Sequence, residues 1–150
     1  MRHILFVCSG NTCRSPMAAA LLNARAGLVP EWHAESAGLA AAPGTRASYG
    51  ASFVMREWDI DLSGHRSRQF TEAMAKKADL IVGLGASHTA AIVRAFPKLE
   101  PKTLMLGDYL PDGPRSIEDP FGGGLDDYRR ARDDIDRAME GFVDFLRTYF

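Results

Sequence analysis

Three kinds of side chain in this sequence could do chemistry together if folding gathers them: a thiol, a guanidinium and a carboxylate. Cys8 and Arg14 lie in one short string, Cys8-Ser9-Gly10-Asn11-Thr12-Cys13-Arg14-Ser15-Pro16. The planar fork of an arginine can hold two oxygens of a phosphate at once, which a lysine cannot. A thiol beside such a cation, and at a helix N-terminus, loses its proton readily, and the thiolate is the nucleophilic form. Cys8 and Arg14 are thus read as a nucleophile beneath a gripped oxyanion. The carboxylate is Asp119, which precedes Pro120 and leads into Phe121 and the flexible Gly122-Gly123-Gly124. A residue before proline is held out of the helical region, so this carboxylate is presented from a loop. By local sequence alone, an ordinary surface turn is the better explanation.

The chemistry requires an element on each side of the string. His3 to Val7 is an apolar run of strand length, and Met17 to Leu22 reads as a helix entered through Ser15, as cap, and Pro16. The first turn of a helix leaves N–H groups unpaired and carries the positive end of its dipole. Such a place attracts a phosphate. Gly10 is expected to give the tight turn, and Asn11 is among the few non-glycine residues that tolerate the left-handed region.

Further along, Glu31 to Ala37 is expected to be a second strand ending at Gly38, with an amphipathic helix over Thr45 to Trp58. In that helix Trp58 is expected in the core or on a groove wall. Asp61 to Arg68 is polar and irregular. A short helix follows over Thr71 to Lys77, then a strand over Ala78 to Leu84, a helix from Ser87 to Phe96 stopped by Pro97, and a strand over Lys102 to Leu106. The last helix, Leu125 to Phe150, repeats Tyr128, Ala131, Ile135, Met139, Phe142, Leu146 and Tyr149 every three or four residues. On its wet face Arg129 with Asp133 and Asp133 with Arg137 are spaced to pair. Alternating strands and helices predict an α/β fold in three layers. A four-stranded parallel sheet is flanked by helices, with the phosphate-binding loop after the first strand. Ligands of such sheets sit beyond the carboxyl ends of the strands, where Cys8 falls.

Composition narrows the classes. At 150 residues the chain is expected to be one domain, 1–150. Eighteen Lys and Arg against nineteen Asp and Glu give a net charge of -1, so no basic field argues for nucleic acid or an anionic membrane. The opening apolar run is too short for a signal-peptide core or a membrane span, and a cytoplasmic protein is expected. Two cysteines do not make a disulfide scaffold or a structural zinc site, and His3, His33, His65 and His88 show no metal-ligand spacing. The histidines are expected at the surface or behind the site, and neither a metal nor a cofactor is called for.

The string from Cys8 to Pro16, at the very N-terminus and between strand and helix, resembles the low-molecular-weight protein tyrosine phosphatase family. The resemblance runs from Ile4 to the final helix, and it implies a metal-free hydrolase that acts on a phosphorylated protein. It implies Cys8 as nucleophile and Asp119, in the family's Asp-Pro before the final helix, as general acid and then base. It implies further that Arg14 and the backbone N–H groups of Ser9 to Arg14 hold the phosphate, and that Ser15 donates to the Cys8 sulfur. Asn11, Ser36 and His65 match the family's supports for the loop, and a capped strand end at Ser36 and a solvated loop at His65 are the competing view. Cys13 matches a second loop cysteine that can pair reversibly with the nucleophile, and a plain buried thiol is the competing view.

The rim departs from the tyrosine-specific members. Those carry an apolar residue at Thr12, two aromatics where this chain has Phe121 and Gly122, and an aromatic near Ala42. Phosphotyrosine, the family's usual substrate, is expected first, with phosphoarginine as its close rival. Thr12 with Asp119-Pro120-Phe121-Gly122-Gly123 resembles instead the branch that dephosphorylates arginine. Arsenate reductases of this loop type need cysteines beyond Cys8 and Cys13, and an ATP loop would want a second glycine and a lysine before Ser15. A non-catalytic phosphate-binding module remains, and it would tolerate loss of Cys8 and Asp119.

Overall fold

The computed structural model describes all 150 residues. Four strands form the sheet: β1 Arg2–Cys8, β2 Trp32–Gly38, β3 Leu80–Gly83 and β4 Thr103–Met105. Their order is β2-β1-β3-β4 and every pair is parallel. Five helices connect and cover them: α1 Arg14–Asn23, α2 Tyr49–Arg56, α3 Glu72–Lys77, α4 Ala86–Ala95 and α5 Leu125–Tyr149. Two 3-10 helices, Pro97–Lys102 and Leu106–Tyr109, flank β4. The expected α/β architecture of a four-stranded parallel sheet between helices is what the chain adopts.

Side chains of a strand alternate between faces, and β1 is apolar on both. Ile4, Phe6 and Cys8 join one buried cluster with Met17 and Leu21 of α1 and Ile135, Met139 and Phe142 of α5. Leu5 and Val7 join a smaller cluster with Ala75 of α3 and Ile92 of α4. Helices therefore pack on both faces and hold β1 in the middle of the sheet. α1 is buried almost all round, from Arg14 to Leu22, so the segment that follows the loop is fixed by core packing as well as by the chain. No helix is long and apolar enough to cross a membrane.

Several expected boundaries move, each for a local reason. α2 begins at Tyr49 because Ser48 caps it, accepting from the Ala51 N–H, while Thr45 spends its own N–H on the Ser67 hydroxyl. α1 begins at Arg14 with Cys13 at the N-cap and no side-chain cap, so Ser15 is inside the helix and its hydroxyl is used elsewhere. The pairs of Arg129 with Asp133 and Asp133 with Arg137 do not form. Arg129 instead reaches Glu57 at the end of α2 and Asp126 three residues earlier on α5, and Arg137 pairs with Asp134, three residues earlier on the same helix, and with Asp112. Tyr149, expected on the apolar face, is 71% exposed past the edge of the core. Trp58 lies at the surface beneath the Arg132 guanidinium, 4.0 Å from its ring centre, so it shields a cation.

Candidate active site

Residues 9 to 13 turn from the end of β1 into α1, and the turn puts carbonyls and amides on opposite sides. The carbonyls of Cys8, Ser9, Thr12 and Cys13 accept from the N–H groups of Leu39, Ala40, Ser48 and Met17, and that of Asn11 accepts from His65. The amides of Ser9 to Cys13 have no partner in the protein. A ring of free N–H groups closed by a helix N-terminus is an anion cradle. The strained position is Asn11, at φ 57°, as its amide side chain permits. Gly10, by contrast, is not in the left-handed region, and a Cβ there would meet only Thr12 Oγ1, at 3.7 Å. The glycine that the turn requires is Gly38, which pairs with Cys8 across the sheet. A Cβ on it would lie 2.5 Å from the Ser9 carbonyl oxygen and 3.0 Å from the Asn11 nitrogen.

Asn11 is fully buried and ties the loop to three other segments. Its Nδ2 donates to Ser15 Oγ at 2.8 Å and to Ser36 Oγ at 2.9 Å, and its Oδ1 accepts from the Arg68 N–H at 3.0 Å. The His65 ring donates from Nε2 to the Asn11 carbonyl at 2.7 Å, since a carbonyl can only accept. Burial is the main reason why the His65 pKa falls below the usual histidine value, against the opposing pull of that carbonyl. The polar stretch before Arg68 thus underpins the loop. Ser36 and His65, singled out from sequence, are brought to Asn11, and Arg68 joins them with no sequence signal because it acts through its backbone.

Cys8 Sγ is buried and lies 2.9 Å from Ser15 Oγ. Because that oxygen already accepts from Asn11, the Ser15 proton is free to point at the sulfur. Such a donor favours a sulfur that carries charge. Cys13 Sγ faces a different set, Ser48 Oγ at 3.3 Å and Tyr128 OH at 3.5 Å, and both cysteines are free thiols.

Arg14 is held from behind, with Nη1 donating to the Ile117 carbonyl at 2.9 Å. Its Nη2 is 3.5 Å from Asp119 Oδ2, while the other Asp119 oxygen accepts from the Phe121 N–H at 3.1 Å in the turn made with Pro120. Asp119 therefore hangs over the loop, with half of its side chain exposed. Glu100 also precedes a proline, Pro101, but it sits in the 3-10 helix that leads into β4, at the opposite end of the sheet. Tertiary position separates the two carboxylates where the dipeptide does not.

These groups share one cavity of about 250 Å³, lined by Cys8, Ser9, Gly10, Thr12, Cys13, Arg14, Ala40, Asp119 and Phe121. A larger cavity of about 330 Å³, at His3, Glu35, Arg68 and Lys77, has neither a nucleophile nor a turn of free amides. Chemistry therefore points to the smaller one. No group of three His, Cys, Asp or Glu side chains is placed to hold a metal. His88, one of the four scattered histidines, proves to be buried behind the loop, with Nε2 3.0 Å from Ser9 Oγ. Nothing in the sequence connects residues so far apart.

The model of the low molecular weight phosphotyrosine protein phosphatase family matches residues 3–149. A protein of Geobacillus stearothermophilus named protein-arginine-phosphatase is 39% identical over 145 residues, covering 97% of this chain and 96% of its own. A probable low molecular weight protein-tyrosine-phosphatase of Erwinia amylovora, AmsI, is 33% identical, covering 95% and 96%. Among solved structures, the YwlE arginine phosphatase from Geobacillus stearothermophilus superposes with a TM-score of 0.91 at 38% identity, covering 99% of this chain and 94% of that one.

Proposed function

The chain belongs to the low molecular weight phosphotyrosine protein phosphatase family, and from that premise we propose that it is a cysteine-dependent phosphatase whose preferred substrate is phosphoarginine in proteins. In the first half of the reaction Cys8 Sγ attacks phosphorus. An S–P bond forms as the P–N bond breaks, and the departing guanidine nitrogen takes the electron pair together with a proton from Asp119. In the second half a water attacks phosphorus and gives its proton to the Asp119 carboxylate. The S–P bond breaks and its electrons return to the sulfur, eased by the Ser15 hydroxyl at 2.9 Å. The amides of residues 9 to 14 and the Arg14 fork carry the charge of the phosphoryl oxygens throughout. Asn11, Ser36 and His65 keep that cradle in shape, and the whole of 1–150 serves as one catalytic domain.

The observation that carries the substrate preference is the wall of the cavity. Phe121 is its single ring, and Thr12 and Asp119 bring side-chain oxygens to its lining. A guanidine has N–H groups to give those oxygens, and a phenyl ring has none. The relative named protein-arginine-phosphatase supports the same reading. Phosphotyrosine hydrolysis is the second reading, favoured by Phe121, which is 76% exposed and free to stack on a phenol, and by the similarity to AmsI.

Comparing kcat/KM for phosphoarginine and phosphotyrosine peptides tests the preference. The native protein is expected to favour phosphoarginine by at least about tenfold, and Thr12→Ile to reverse the order by removing an oxygen and adding apolar surface. A native preference for phosphotyrosine, or a ratio untouched by Thr12→Ile, selects the second reading.

A further inference from the structure

His88 is 4% exposed and has one hydrogen-bond partner, Ser9 Oγ at 3.0 Å from Nε2. Its Nδ1 is buried with none. A neutral imidazole carries its proton on one nitrogen only. Were the proton on Nδ1, a dry N–H would lack an acceptor, and buried orphan N–H groups are rarer in folded proteins than under-used acceptors. Position adds a second reason. His88 lies in the first turn of α4, and Nδ1 is 3.4 Å from where a Cβ of the N-cap residue Gly85 would stand. The positive end of a helix dipole favours a lone pair there over an N–H. The nearby charge of Arg14 opposes a second proton on the ring, and with burial as the larger cause the His88 pKa falls to about 4. Asp119 pulls weakly the other way. The ring is thus neutral, with its proton on Nε2.

Ser9 then has a fixed role to play. Its oxygen accepts from His88, so its own proton must point elsewhere, and Ser9 is exposed and lines the cavity together with Cys8 and Arg14. We propose that His88 is a positioning residue, whose Nε2–H donates to Ser9 Oγ and thereby turns the Ser9 hydroxyl into one more donor for a bound phosphoryl oxygen. The loop amides and Arg14 would hold the phosphate from below and one side, and Ser9 adds a hand from the rim. The inference rests on the reading of residues 8 to 14 as a phosphate cradle, but it applies equally to phosphoarginine and phosphotyrosine.

Two measurements test it. Nitrogen-15 spectra of the native protein at pH 7 are expected to show His88 neutral, protonated at Nε2 and bare at Nδ1. The opposite tautomer, or an imidazolium, overturns the proposal whatever the activity. Competitive inhibition by inorganic phosphate supplies the second readout. Ser9→Ala and His88→Leu are each expected to weaken it about fivefold, the usual worth of one hydrogen bond, with the double variant no weaker than either alone. His88→Gln, which keeps an N–H near the Nε2 position, is expected to stay within about twofold of native. Unchanged inhibition in Ser9→Ala, or additive losses in the double variant, reject the role of His88. A native enzyme that phosphate does not inhibit at all rejects the cradle reading itself, with the tautomer result still standing apart.

Discussion

At the scale of single residues, the proposed mechanism divides its labour among groups whose removal has different consequences. Cys8 forms the covalent bond, so Cys8→Ser is expected to abolish turnover of an aryl or guanidino phosphate in a steady-state assay. Asp119 only moves a proton. Asp119→Asn is accordingly expected to slow turnover by about 10² to 10⁴ while inorganic phosphate still inhibits, because the loop amides and the Arg14 guanidinium that bind it are retained. Retained activity in either variant would overturn the roles assigned to Cys8 and Asp119. Cys13 is separate from this work. Its sulfur is engaged by Ser48 and Tyr128, so a pairing with Cys8 would first have to break those contacts.

At the scale of elements, the site is made where β1, β2 and α1 meet. The chain of contacts runs from Gly38 through the Ser9 carbonyl to the free amides, and a methyl group is enough to disturb it. Gly38→Ala places a carbon 2.5 Å from the Ser9 oxygen, in backbone that has no flexible end to yield. The expected result is a loss of about 1–3 kcal/mol in denaturant unfolding, and a fall of at least tenfold in kcat/KM as the cradle shifts. Gly10→Ala, with its nearest contact at 3.7 Å, is expected to cost far less by the same measures. The two glycines stand in adjacent pieces of the site, and only the close approach of backbone from another strand tells them apart.

At the scale of the whole molecule, the histidines that support the loop link its shape to pH. In the unfolded chain a histidine titrates near 6.5, whereas burial lowers His65 and takes His88 to about 4 in the folded protein. Between those values the unfolded state binds more protons, so stability is fully present above about pH 6.5 and is lost as pH falls toward 4. His88 alone gives a slope of about 1.4 kcal/mol per pH unit across that window. Unfolding midpoints measured from pH 7 to 4 are expected to fall more steeply for the native protein than for His88→Gln, which has no proton to bind.

Much of this protein is written in local pattern. The alternation of apolar runs specified β1 and the parallel sheet, and the periodic face of α5 from Tyr128 to Leu146 placed that helix on the core. Cys8, Asn11, Arg14 and Ser15 were legible because a strand end, a left-handed residue, a guanidinium and a helix start must follow one another within a few residues to make a cradle. What only tertiary structure decided lies far away along the chain: Gly38 against Ser9, His65 and Arg68 against Asn11, Ile117 behind Arg14, and His88 against Ser9. It also separated Asp119 from Glu100, and it sent Arg129 to Glu57 instead of Asp133. The physical reason is one of range. Periodicity, capping and backbone preference act over a turn or a strand pair, whereas a hydrogen bond between distant segments depends on how the layers stack, and the sequence states that only through the fold.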